Sequence, residues 1–229
     1  MQLRFVTNNL WVAEQPLRYL GVALNSRTTI MRMADGALMV HSPVQMDESL
    51  LSSVSSLGPV RFILAPNRFH HLFVTDWQKA FPEALTFCAP GLDRKRPDLK
   101  FTAVLGDAPP PAWAGEVDQI FMPAFPPLNE IVFFHRVSRT LIFTDLLFNL
   151  SQHDSAYARF LLRLDGAFQG PAVPRSFQLL LRRKRAECRD FIRRVLSWDF
   201  ARTIVAHGDI IEIDARPLVE RAWRFALTA

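Results

Sequence analysis

Between Val60 and Ala89 the chain reads strand, helix, strand, and this order constrains the fold more than any other stretch does. Val60 to Ala65 is a short, continuous apolar run, Trp77, Ala80 and Phe81 lie on a helical pattern that Pro82 ends, and Leu85-Thr86-Phe87-Cys88-Ala89 is a second run. Two strands joined through a helix cannot form a hairpin; they run parallel, with the helix crossing one face of the sheet. The chain is therefore expected to be α/β. At the exit of the first strand, Pro66-Asn67 stops the run and Arg68, Phe69, His70 and His71 follow before the helix begins. Strand ends are rigid, and imidazole is the commonest metal ligand near neutral pH.

The segments on either side extend the sheet. Leu10 to Leu17 and Val22 to Leu24 read as opening strands, and Ala34-Asp35-Gly36 between the apolar runs 28–33 and 37–42 is a hairpin signal. Asp47-Glu48 opens a helix with Leu50, Leu51, Val54 and Leu57 on one face, closed by Gly58-Pro59. Residues 90–114, rich in proline and charge, read as a long surface connection. Val117 to Met122, Glu130 to Arg136 and Arg139 to Thr144 follow as strands, with Asp145 at the exit of the last. A helical region begins near Asp154 with Tyr157, Phe160, Leu161 and Leu164 on one face, and one longer helix is expected over 174–198. Thr203 to Asp209 is a final strand ending in His207-Gly208, and Asp214 is placed to cap the terminal helix.

Composition narrows the class. A chain of 229 residues that is 49% hydrophobic can bury a full core, and without a sharp compositional break residues 1–229 are read as one domain. Cys88 and Cys188 fit neither a disulfide framework nor a paired-cysteine zinc pattern. No apolar run reaches the roughly 18 residues that a membrane span needs. The polar interruptions in the first nine residues offer no export segment, so the expectation is a soluble cytoplasmic protein. The net charge of +5 is concentrated near Arg182-Arg183-Lys184-Arg185, Arg189, Arg193 and Arg194. Interleaved with Glu187 and Asp190 and lacking an aromatic platform, this row reads as a solvated helix face and not as a nucleic-acid surface.

Two β-rich halves with helices, and ligand-type residues at the strand exits, resemble the metallo-β-lactamase-like superfamily, which includes glyoxalase II. Ile142-Phe143-Thr144-Asp145 resembles its aspartate motif without the usual glycine, and Val205-Ala206-His207-Gly208 resembles its last histidine motif. The chain also resembles an uncharacterised family of that superfamily in which Pro66-Asn67-x-x-His70-His71-Leu72 and Ser138-Arg139-Thr140-Leu141-x-x-Thr144-Asp145 recur together. The resemblance implies an αββα sandwich of two mixed sheets flanked by helices. The leading motif, His-x-His-x-Asp-His, is degenerate: with His70-His71 in its last two places, its first two histidines fall on Pro66 and Arg68. No histidine stands near 123–127, where a third ligand of the first metal is expected.

The resemblance therefore implies an empty first site and a second site of His70, His71, Asp145 and His207, with His71, Asp145 and His207 the firmer three. That set would hold one divalent transition metal, zinc or iron. His71 and Asp145 are the candidate catalytic residues. Arg68 replaces a ligand beside them and is the candidate grip on a substrate carboxylate or phosphate. Two functions stay open: a metal-dependent hydrolase of a small-molecule substrate, with a mononuclear site activating water, or a non-catalytic member of the fold serving as a binding or scaffold module. His41, His135 and His153 read as structural.

Overall fold

The computed structural model describes all residues except Leu20, Gln152, Asp154 and Ala229. Seven strands form the first sheet in sequence order: β1 (Arg4–Thr7), β2 (Leu10–Tyr19), β3 (Val22–Arg32), β4 (Leu38–His41), β5 (Val60–Ala65), β6 (Leu85–Cys88) and β7 (Ala103–Val104). β1 to β4 are antiparallel, and β4 to β7 run parallel through crossovers that carry α1 (Glu48–Leu57), α2 (Val74–Ala80) and α3 (Leu92–Lys95). The turn at Asp35-Gly36 and the parallel β5–α2–β6 unit are as expected. Asp47 caps α1 by accepting from the Leu50 N–H at 2.7 Å.

The second sheet holds β8 (Val117–Phe121), β9 (Ile131–His135), β10 (Thr140–Ile142) and β13 (Arg202–Ile204), in the order β13-β10-β9-β8. A short pair, β11 (Phe148–Leu150) and β12 (Gly170–Ala172), lies apart from it. The helices of this half are α4 (Ala156–Leu164), α5 (Arg175–Leu181), α6 (Arg185–Ser197), α7 (Ala215–Ala222) and α8 (Arg224–Leu227).

Alternation along the strands builds four layers. Met39, Phe62 and Leu64 point between the sheets and meet Ile131, Phe133, Ile142 and Ile204, while Val40 and Ile63 point outward onto Leu50, Val54 and Trp77 of α1 and α2. On the other side Val132, Phe134 and Leu141 face Phe191, Ile192, Val195 and Val219 of α6 and α7. The result is the expected αββα sandwich. Full burial of each such side chain stabilises the fold by about 1.5–3 kcal/mol. Among the described residues, no helix is long and apolar enough to cross a membrane.

Four local expectations are corrected. β3 is one strand of 11 residues, because Asn25 to Arg27, polar in sequence, continue the ladder with β2. The connection over 90–114 carries α3 and β7, the edge strand of the first sheet, and buries Trp113. The long helix breaks at a 3-10 turn, Arg182–Lys184, where three successive cations stay exposed and the chain resumes with Cys188, Phe191, Ile192 and Val195 buried. Asp214 sits at φ 52° and its side chain caps nothing.

Two surface readings also change. Arg182 and Arg193 of the basic row are exposed as expected, while Arg185 and Arg189 are half-buried and donate to the Ala226 and Thr228 carbonyls at the end of α8, where cations are favoured. Asp154 lies outside the described residues, and α4 leaves Tyr157, Phe160 and Leu164 exposed.

Candidate metal centre

Three loops at strand exits meet at one point. After β5, Pro66 breaks the ladder and Asn67 folds the chain back, its Oδ1 accepting from the Phe69 N–H (2.9 Å) and the His70 N–H (2.8 Å). After β10 comes Asp145, and after β13 comes His207. His207 Nε2 lies 3.0 Å from Asp145 Oδ1, and His70 Nε2 lies 3.4 Å from the same oxygen. One donor atom from each of His70, Asp145 and His207 falls within 4.8 Å of the others. Gly208 fixes the last turn: at φ 95° it lies so close to β11 that an added Cβ would meet the Asn149 carbonyl oxygen at 2.0 Å.

Each imidazole is held from behind. His207 Nδ1 faces the Asn25 carbonyl at 2.6 Å; a carbonyl only accepts, so Nδ1 carries the proton. Nε2 is then either a free lone pair, suited to a metal, or a second N–H of an imidazolium donating to Asp145. His70 Nδ1 pairs with the Ser42 hydroxyl at 2.7 Å, beyond the end of β4. The donor set thus fits a divalent first-row metal: two Nε2 atoms aimed at one carboxylate oxygen, with both Nδ1 atoms committed elsewhere.

Asp145 is in turn fixed by Asn67, which donates to its Oδ2 at 2.7 Å. Burial by itself would raise the Asp145 carboxyl, but His70 and His207 hold it below the ordinary carboxylate range. Behind it, burial and the negative Asp145 push Glu130 up to about 8. The loop of His207 is clamped from β3, where buried Arg27 donates to the Val205 and Gly208 carbonyls and to Glu14, and Asn25 Oδ1 accepts from the Gly208 N–H at 2.6 Å.

Residues 7–165 match the family described as "Domain of unknown function (DUF4336)". The chain belongs to the DUF4336 family. That match spans the loops of His70 and Asp145 and ends before His207. No curated protein matches the sequence. Among solved structures, a metallo-β-lactamase from Pontibacter korlensis is 11% identical and covers 100% of this chain and 99% of its own, with a TM-score of 0.65. The metallo-β-lactamase FIM-1 from Pseudomonas aeruginosa, in its mono-zinc form, is 10% identical over 98% of this chain and 94% of its own, with a TM-score of 0.65. A metal-soaked Flv1 flavodiiron core from Synechocystis sp. PCC6803 is 10% identical over 98% of this chain and 60% of its own, with a TM-score of 0.66. This DUF4336 chain therefore has the metallo-β-lactamase-like fold.

Of the residues singled out from sequence, the DUF4336 fold brings His70, Asp145 and His207 together; His71 falls outside the group. His71 follows His70 in a tight turn, its N–H bonded to the Phe69 carbonyl, so the two rings diverge. Its Nδ1 meets the Arg96 guanidinium at 2.9 Å and must accept, since arginine only donates. Burial, then Lys95 and Arg96, push His71 down to about 4. Arg68 reaches across to the turn that lacks a histidine, donating from Nη1 to the Pro126 carbonyl at 2.9 Å, while Lys95 donates to the Arg68 carbonyl at 2.6 Å. His41, His135 and His153 lie outside the group. Asn25, Arg27, Asn67 and Glu130 were missed by sequence reasoning. The available signal was a charge opening the apolar run 131–134, at Glu130; Arg27, in the polar stretch 25–29, carried none.

Proposed function

We propose that this chain is a metal-dependent hydrolase with a mononuclear centre of His70, Asp145 and His207, acting on a small anionic substrate. The observation that carries the reading is the convergence of His70 Nε2 and His207 Nε2 on Asp145 Oδ1, at 3.4 and 3.0 Å, with both Nδ1 atoms held from behind. A bound zinc or iron ion would lower the pKa of a coordinated water and supply a nucleophile near neutral pH for an ester, thioester, amide or phosphoester. Asn67 holds one Asp145 oxygen and leaves the other facing the two histidines. Arg68, Lys95 and Arg96 lie close enough to lower the Lys95 ammonium's pKa, after burial itself, and this cationic side of the site suits a carboxylate or phosphate on the substrate.

The test is metal content followed by turnover. Elemental analysis of purified protein is expected to give about one transition-metal ion per chain, as a single donor set of three residues implies. Two ions per chain would contradict the mononuclear reading. An ion-free protein that also takes up neither zinc nor iron would leave a non-catalytic scaffold as the function.

A further inference from the structure

Glu130 has no exposure to solvent, and no cation pairs with it among the described residues. Taking a carboxyl group out of water is costly unless hydrogen bonds replace that water, and here four donors reach it. Its Oε1 accepts from the Thr144 N–H at 2.7 Å; its Oε2 accepts from the Asp145 N–H at 2.7 Å, the Leu146 N–H at 3.2 Å and Asn67 Nδ2 at 3.1 Å. Every one of these donors belongs to the two loops that carry His70 and Asp145.

Asn67 has no capacity to spare. Its amide donates to Glu130 and to Asp145 Oδ2, and its Oδ1 accepts the two N–H groups that shape the His70 turn. One side chain just before β9 therefore fixes the path of the Asp145 backbone over three successive N–H groups. Through Asn67 it also fixes the direction of the Asp145 carboxylate and the approach of His70. A buried polar group kept only to fill space would be replaced by an apolar side chain at little cost.

We infer that Glu130 is the positioning residue of the centre, holding Asp145 and His70 at the spacing that joint coordination needs; this rests on the metal-binding reading above. Glu130→Gln keeps the size of the side chain but turns an NH2 toward donors. Zinc affinity, measured by competition with a chromogenic chelator, is expected to fall about 10- to 100-fold, as for partners that orient metal ligands. A crystal structure of the metal-free variant is expected to show Asp145 withdrawn from His207.

If the wild-type chain binds zinc and the variant binds within about threefold of it, positioning by Glu130 is refuted and the metal reading stands. If the wild-type chain binds neither zinc nor iron, the metal reading fails. The crystal structure then decides alone, because an Asp145 unmoved from His207 overturns the positioning role. Should Glu130→Gln not fold, Asn67→Ala cuts the same network while leaving the three backbone bonds, and it is judged by the same two measurements.

Discussion

His70 and His71 stand side by side in the sequence, yet His70 faces the Asp145 carboxylate across 3.4 Å while His71 faces the Arg96 guanidinium across 2.9 Å. The same division runs through the whole rim. On one side a buried carboxylate draws two imidazoles to itself; on the other, Lys95 and Arg96 bear on a neutral imidazole, with Arg68 beside Lys95. A cation is stabilised on the first side and repelled on the second. Residue type therefore does not decide which histidine joins the His70–Asp145–His207 group; the charge it is turned toward does.

The largest effect expected from this contrast comes from Asp145→Ala. It removes the only acid of the group, and metal affinity should fall by more than the roughly 100-fold that an indirect partner costs. The fold should survive, since the cores lie between and outside the sheets. Isothermal titration with zinc, alongside a thermal melt, measures both; retained affinity would show that the carboxylate side is not the metal side.

A smaller effect distinguishes the two sides by pH in the metal-free protein. His71 is held down at about 4 in the fold against about 6.5 in the unfolded chain, so between those values the unfolded state binds the extra proton. Its contribution is present in full above about pH 6.5 and is lost as pH falls toward 4. His41 and His135, pushed down to about 3 and about 4 by burial, act with the same sign. Asp145, also lowered, contributes above the ordinary aspartate range and is lost only under stronger acid. Urea denaturation across this range should show a His71→Gln variant with a shallower pH dependence than the wild type. Superimposable slopes would mean that the cationic side does not act on His71.

The smallest effect is expected from His71→Ala, which should change zinc affinity by less than about threefold, because the ring lies outside the ligand group. A loss as large as that of Asp145→Ala would erase the distinction between the two histidines.

Much of this architecture was open to local reading. The buried run ending at Pro66-Asn67, the Asp35-Gly36 turn and the Asp47 cap each depend on a few consecutive residues, and Asp145 and His207 follow recognisable strands. The choice between His70 and His71 was not legible, because side-chain direction in an irregular turn follows its hydrogen bonds and not a period. Asn67 makes those bonds, and its other partners, Glu130 and Asp145, lie 63 and 78 residues away.

Sequence alone determined most of the longer elements, the parallel β5–α2–β6 link and the strand exits at which chemistry is gathered, since hydrophobic period and turn residues act over short range. Only the tertiary structure decided which groups meet. Arg27 clamps a carbonyl 178 residues away, His207 finds Asp145 across 62, and Arg68 closes on Pro126 across 58. Such pairings follow from how two sheets stack and which buried polar groups must then satisfy one another, and no local pattern carries that information.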